Sequence, residues 1–355
     1  MGDFCILPFH EKNQWNAIVQ SFHQYDVYYL NEYVSAFRYT KDGDPFLLYY
    51  QGDEMRLCFV IQQSDIADCP NFCGALENER FYDWSTPYGY GGPLTENLNR
   101  EEIREFFHLL SDFCRAKNIV SLFIRFHPLL QNQKDFEGCC ELYQVKKTVY
   151  MDLSNIPMLE KNLEARCRGA IQKARRNGVV IQADNSPESQ RRFMELYMET
   201  MRRRDALDYY FFSEEFFCDF FTNMNSYYDI YNAVLEGETV SSAIILRCNG
   251  NLHYHLSAAR REYLCYAPNN LLLYTVALRG AEEGYKNLHL GGGTEMEDSL
   301  LLFKKSFNRH GLLDFYLGRC IFCKDAYEEL LRLRCLSNPD FQPDNDRIIQ
   351  YRFKE

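Results

Sequence analysis

Apolar and polar residues follow two different periods along this chain, and the places where the period changes divide it into elements. In the first part, the pattern predicts a helix near Asp26–Phe37, strands Pro45–Tyr50 and Met55–Gln62 joined by a turn at Gly52-Asp53, a glycine-rich loop, a helix Arg100–Lys117 and a strand Val120–Phe126. The second part repeats that order. Helices are expected across Met158–Asn177 and Ser189–Arg204, followed by strands Tyr228–Leu235, Val240–Arg247 and Leu252–Ala258, a helix Asn269–Glu283 and a strand Asn287–Leu290. Glu236-Gly237 and Asn249-Gly250 separate the three strands, and their glycines supply the positive φ of tight hairpins. Pro268 and Gly284 bracket the last helix in the usual order of proline at the start and glycine past the end. Each half therefore reads as helix, antiparallel meander, helix and strand.

That repetition, in a chain of 355 residues, favours two mixed α/β domains in tandem, at residues 1–150 and 151–324. The link is expected within Tyr150–Leu159, where Asp152, Ser154, Asn155 and Pro157 break the pattern. Residues 325–355 begin with a helix over Asp325–Arg334 and end in a short strand expected to pack back on the first domain. The 39 basic against 50 acidic residues give a net charge of −11, which argues against broad binding to a nucleic-acid backbone. No apolar run is long enough for a membrane span, and the start, MGDFCILPFHEKNQW, lacks the pattern of a signal peptide, so a cytoplasmic protein is expected. The 14 cysteines are scattered as reduced core thiols would be. Cys69/Cys73 and Cys320/Cys323 have the close spacing from which zinc sites are assembled, but the second pair sits in an apolar run that reads as buried strand; no metal is expected.

Four segments can carry chemistry. The loop Trp84–Pro93 holds Tyr88 and Tyr90 among three glycines and matches no phosphate-loop pattern; it either presents backbone N–H groups to a ligand or turns the chain. Arg166, Arg168, Lys173, Arg175 and Arg176 form a basic stripe, either solvated or docked on phosphates. Arg202, Arg203 and Arg204 end a helix and lead to Tyr209 and Tyr210, which suggests a pocket for a bulky anion, although arginines there also suit the helix dipole. The fourth is the most specific: strand Asn287–Leu290 runs into Gly291, Gly292 and Gly293, which let the backbone approach a ligand at the strand's carboxyl end, and Lys304 and Lys305 follow on a short helix.

Taken in order, STPYGYGGPL, RCRGAIQKARRNGV, the strand, helix and strand ending in LHLGGG, and DSLLLFKKSF resemble the Fem family of peptidyltransferases and its wider relatives, which look like paired GNAT acyltransferase domains. The resemblance covers most of the chain. It implies an aminoacyl or acyl transferase that forms an amide on the amine of a peptidoglycan or cell-surface glycan precursor, with a nucleotide-linked muropeptide or amino sugar as acceptor and the acceptor end of an aminoacyl-tRNA as a donor. It implies no bound cofactor. The lysine of the family's Phe-Lys pair maps onto Lys304, beside Phe303, where a cation can oppose the oxyanion of acyl transfer. The proton from the attacking amine is expected to go to Asp298, Glu295 or the substrate's own groups. Tyr88, Tyr90, Arg204 and Tyr209 are expected to contact a phosphorylated, sugar-bearing acceptor, with Gly291–Gly293 and Phe303 beside it.

Two departures from the wider family matter. Where ordinary GNAT enzymes bind coenzyme A pyrophosphate on a glycine-rich turn, this chain reads Arg260–Asn269 without a glycine. No heptad-rich insertion interrupts Ser186–Asp229, where some Fem enzymes carry a helical arm. An acyl-CoA-dependent N-acyltransferase acting on an amino sugar, and a binding protein that keeps the fold without catalysis, are the competing readings.

Overall fold

The repeated order of elements becomes two compact units, residues 1–145 with 315–355, and residues 146–314. The computed structural model describes residues 2–40, 42–72, 74–76, 80–293 and 298–352. Both units are mixed α/β.

In the first unit, strands Asp3–Pro8, Asp44–Gln51 and Arg56–Asp65 pair antiparallel in sequence order. Strand Tyr82–Ser85 continues the sheet antiparallel, and Ile119–Arg125 lies parallel to it. Helix Arg100–Ala116 makes the crossover between those two. Its buried residues Ile103, Phe106, Phe107, Leu110 and Cys114 repeat at helical spacing and so line one face, which packs on Phe46, Leu48, Leu57 and Phe59 of the sheet. Asn99 starts this helix by accepting hydrogen bonds from the Glu101 and Glu102 amides.

The second unit places strands Val180–Ala183, Tyr228–Leu235, Glu238–Cys248, Asn251–Ala259 and Asn287–Gly292 side by side. All are antiparallel except the pair Asn251–Ala259 and Asn287–Gly292, which is parallel. Helix Pro268–Glu282 is the crossover, buried through Leu271, Leu272, Val276 and Ala277. Its Gly280 lies so close to the sheet that a Cβ would stand 2.5 Å from Leu252. Glu236 and Gly237 have φ of 53° and 84°, and Asn249 and Gly250 of 43° and 81°, the left-handed pairs that match strand twist in a two-residue hairpin.

Two expectations are corrected. The polar residues of Tyr150–Leu159 are no linker: the chain enters the second unit inside strand Glu141–Asp152, Asp152 then accepts hydrogen bonds from Ser154, and Asn155 caps helix Ile156–Asn162. The chain returns inside strand Leu312–Ile321. The expected terminal strand is a short 3-10 turn, Gln350–Arg352, held in the first unit by side chains and not by strand pairing.

Candidate active site

Each of the three glycines that end strand Asn287–Gly292 answers a local constraint. Gly291 adopts φ 71°, a left-handed conformation that side chains rarely take. At Gly292 a Cβ would stand 2.7 Å from the backbone oxygen of Lys147, and at Gly293 it would stand 2.1 Å from an Asp298 carboxylate oxygen. Bare backbone is thus required at Gly292, where the strand meets its neighbour's backbone, whereas a side chain at Gly293 would displace the Asp298 carboxylate that starts the next helix.

That helix, Ser299–Lys305, starts on Asp298, whose Oδ1 accepts a hydrogen bond from the Leu301 amide at 2.7 Å. Leu301 is buried in the core of the unit, and Lys304, one turn later on the same face, is drawn in with it. Lys304 is only 8% exposed, and its Nζ donates to the Gly292 carbonyl at 2.6 Å. The Tyr254 ring lies 5.9 Å from the ammonium. The solvated lysine of an amphipathic helix is excluded by these contacts. Burial lowers the Lys304 pKa to about 7; Asp298 opposes that shift, and the charges of Lys146 and Arg204 add to it.

Two further cations therefore share this region of the second unit. Lys146 reaches the Gly293 carbonyl at 3.4 Å, and burial lowers its pKa while Asp298 raises it. Arg204 follows helix Pro187–Arg203 and is exposed, yet its charge is felt by both Lys304 and Tyr254. The adjacent arginines are distinguished by their contacts: Arg203 donates to the Ala259 carbonyl at 2.8 Å, and Arg202 is exposed. Tyr254 has its hydroxyl pKa raised by burial, with a hydrogen bond to Ser257 opposing the rise. Lys146 and Tyr254 were not among the sequence candidates. Lys146 belongs here because Thr148 pairs with Gly292 across the sheet, a long-range register that no local motif reports.

The other candidates have more varied surroundings. Glu295 lies outside the described residues. Phe303 packs edge-on against Phe307, with ring centroids 5.3 Å apart, at the margin of the core. Tyr209 sits between Tyr210 and Phe212. Tyr88 and Tyr90 belong to the first unit, where Tyr88 stacks on Phe37 and Tyr90 meets Tyr28 and Phe315 edge-on. Their loop is fixed from several sides: Tyr29 Oη donates to the Gly91 carbonyl and Tyr33 Oη to the Tyr88 carbonyl, both at 2.9 Å. Asn132 donates to the Gly91 and Pro93 carbonyls.

The basic stripe is partly engaged within the fold. Arg166 pairs with Glu164 and donates to the Leu302 carbonyl, Arg168 donates to the Leu163 carbonyl, and Arg175 lies over the Tyr274 ring. Of the close cysteine pairs, Cys73 is outside the described residues, while Cys320 is buried in its strand and Cys323 lies just beyond it.

The parallel strand pair joined by a crossover helix, ending in glycines beside a buried cation, can be compared with known proteins. Residues 161–304 match the family model described as an acetyltransferase (GNAT) domain. These findings support an acyltransferase. FemX is similar in structure over 90% of this chain and 98% of its own, at 13% identity and a TM-score of 0.67. The C-terminal domain of a putative lysylphosphatidylglycerol synthetase from Agrobacterium fabrum covers 92% of this chain and 96% of its own, at 11% identity and a TM-score of 0.55. A tandem GNAT protein from the clavulanic acid biosynthesis pathway covers 90% and 98%, at 11% identity and 0.52. No curated protein matches by sequence. A GNAT domain is thus matched over residues 161–304, and these structures share the fold over nine-tenths of the chain.

Proposed function

We propose that the second unit transfers an aminoacyl or acyl group from an activated ester to the amine of a peptidoglycan or cell-surface glycan precursor, with the first unit as a second GNAT-like domain. The observation that carries this reading is the buried Lys304, hydrogen-bonded to Gly292 at the end of the central parallel strand. As the amine nitrogen attacks the ester carbonyl, the C=O electron pair moves to oxygen and a tetrahedral oxyanion forms. A cation held in a water-poor site opposes that charge far better than one in bulk water. Collapse of the intermediate breaks the ester C–O bond. The proton lost by the amine passes to the leaving oxygen, with Asp298, Glu295 or a substrate group as the carrier. Among the described residues no helix is long and apolar enough to cross a membrane, and the reading places the reaction on soluble precursors in the cytoplasm.

The test is transfer of a radiolabelled amino acid from charged tRNA to a UDP-linked muropeptide. Labelled acceptor supports the reading. Acceptor that stays unlabelled, while acetyl-CoA acetylates an amino sugar, replaces it with the CoA-dependent alternative.

The turn over Arg260–Asn269 bears on that alternative. Residues Arg261–Tyr266 form a 3-10 turn, Ala267 is left-handed with φ 56°, and its amide donates to the Leu264 carbonyl. Pro268 opens the helix without an N–H, and the Asn270 and Leu271 amides both turn to the Ala267 carbonyl. A pyrophosphate therefore meets few donors. Coenzyme A is expected to bind with a Kd of about 1 mM or weaker by calorimetry. Micromolar binding, with the adenosine diphosphate at this turn, would reverse the order of the two readings.

The acceptor assignment rests on Arg204 and Tyr209, with Tyr88 and Tyr90 to be tested by separate substitution. Arg204→Ala is expected to raise the acceptor KM by roughly tenfold or more while kcat changes little, since a phosphate contact made equally in ground and transition states is uniform binding. An unchanged acceptor KM would remove Arg204 from the site.

A further inference from the structure

Thiols from three separate stretches of chain converge at one end of the first unit's core. Cys114 lies near the end of helix Arg100–Ala116, Cys139 and Cys140 precede strand Glu141–Asp152, and Cys320 and Cys323 lie at and just beyond the end of strand Leu312–Ile321. All five belong to, or pack on, the same apolar cluster. A cavity of about 370 Å³ opens beside them, lined by Cys139, Cys140 and Cys320 with Gly138, Glu141 and Arg319. Glu141 and Arg319 form an ion pair. Cys140 directly precedes the first and Cys320 directly follows the second, and their thiols lie within hydrogen-bonding reach of each other.

We propose that Cys140 and Cys320 form a disulfide by exchange with a small-molecule disulfide admitted to this cavity. Cys140 is half-buried and borders the opening, whereas Cys320 is buried. The Cys140 thiolate attacks one sulfur of the small disulfide, whose S–S bond breaks, and a mixed disulfide and a free small thiol result. Cys320 then gives up its proton and attacks the Cys140 sulfur, releasing the second small thiol. Two protein thiols lose two electrons in all, and the small disulfide gains them. A hydrogen bond from the Cys320 thiol to Cys140, and burial, both keep Cys320 protonated, so the first attack falls to Cys140, which borders the opening. Cys139 is the wrong partner for Cys140, because neighbouring Cα atoms stand about 3.8 Å apart, below the usual disulfide span of about 4.4–6.8 Å.

The bond would tie the strand by which the chain leaves the first unit to the strand by which it returns. It closes a loop that contains all of residues 146–314. In a reducing compartment such a bond forms only as the thiol poise shifts, as in a redox sensor.

The experiment treats the reduced full chain with glutathione buffers of increasing oxidised fraction and follows it on a non-reducing denaturing gel. A faster-migrating monomer band is expected, reversed by dithiothreitol, absent in Cys140→Ser and Cys320→Ser and retained in Cys139→Ser. Fragment-ion sequencing of the digested, oxidised wild type locates the linkage without relying on any variant's folding. A chain that stops at glutathione adducts, or a linkage mapped to other cysteines, overturns the proposal.

Discussion

Lys304→Met is expected to lower turnover by about 10²–10³ while changing ground-state binding of either substrate little. The expectation follows from where the ammonium sits. Burial drives the Lys304 pKa down to about 7, and Lys146 and Arg204 push it the same way, so the cation is held there against its environment. Negative charge developing on a substrate oxygen relieves that unfavourable state at the moment of reaction, which a charge already paired in the resting site could not do. The pH dependence carries a sign. In the free enzyme the cationic form is present below about 7, so kcat/KM is expected to fall as pH rises through that value, and Lys304→Met is expected to lose that descending limb.

Stability responds in the opposite sense. An unfolded lysine titrates near 10.4, so between about pH 7 and pH 10 the unfolded chain binds more protons and stability rises with pH. Below pH 7 the folded protein bears the full burden of the buried charge. Lys304→Met should therefore melt above the wild type at pH 6, with the difference shrinking toward pH 10. Full turnover in this variant would detach Lys304 from the reaction and leave the acceptor and donor assignments without a catalytic centre.

Much of this site was legible in the sequence, because its decisive signals are local. A run of glycines at a strand end, an aspartate one residue before a helix and a lysine one turn after a buried leucine are all short-range patterns, and each holds for a steric or hydrogen-bonding reason. The hairpins of the second unit were legible for the same reason, since Glu236-Gly237 and Asn249-Gly250 dictate backbone sign. What the sequence hid depends on distant pairing. Lys146 reads as one of two lysines in a polar stretch until its strand aligns with Asn287–Gly292. Strand Leu312–Ile321 carries no clean alternation, so only its apolar end at Cys320 reads as strand, and Asp3–Pro8 is a short strand ending in proline. Helix Glu214–Asn223 was obscured by its phenylalanines: Phe216, Phe217, Phe220 and Phe221 are core residues beginning one turn after the Ser213 cap. The basic stripe hides its contacts in the same way, because a count of cations does not show that Arg166, Arg168 and Arg175 are turned onto carbonyls, a carboxylate and a ring of their own unit.

Asp83→Ala is expected to lower the stability of the first unit by about 3 kcal/mol, a drop in Tm of roughly 6–12 °C. Asp83 is 6% exposed, in the short strand Tyr82–Ser85, and three side chains converge on it. Its Oδ1 accepts from Tyr351 Oη at 2.5 Å and Ser121 Oγ at 2.7 Å, and its Oδ2 accepts from Arg352 Nε at 2.8 Å. Tyr351 is fully buried against Tyr327 and Phe72, so once the carboxylate is gone its hydroxyl keeps only Ser121 Oγ, at 3.2 Å, as a partner. Burial disfavours the Arg352 charge, and Asp83, with Tyr351 and Cys69, more than offsets it; alanine removes the largest of those offsets. The Arg352 side chain keeps 29% of its surface, which lets water soften the loss and sets the effect at the lower end of the range for a broken buried pair. Deleting residues 351–355 removes the same contacts from the other side. The deletion and Asp83→Ala should therefore be strongly non-additive when combined, because each abolishes what the other would have lost. If Asp83→Ala melts within a degree of the wild type, or if the two losses simply add, the turn Gln350–Arg352 is not held by this carboxylate, and the packing of Tyr351 on Tyr327 and Phe72 alone must anchor it.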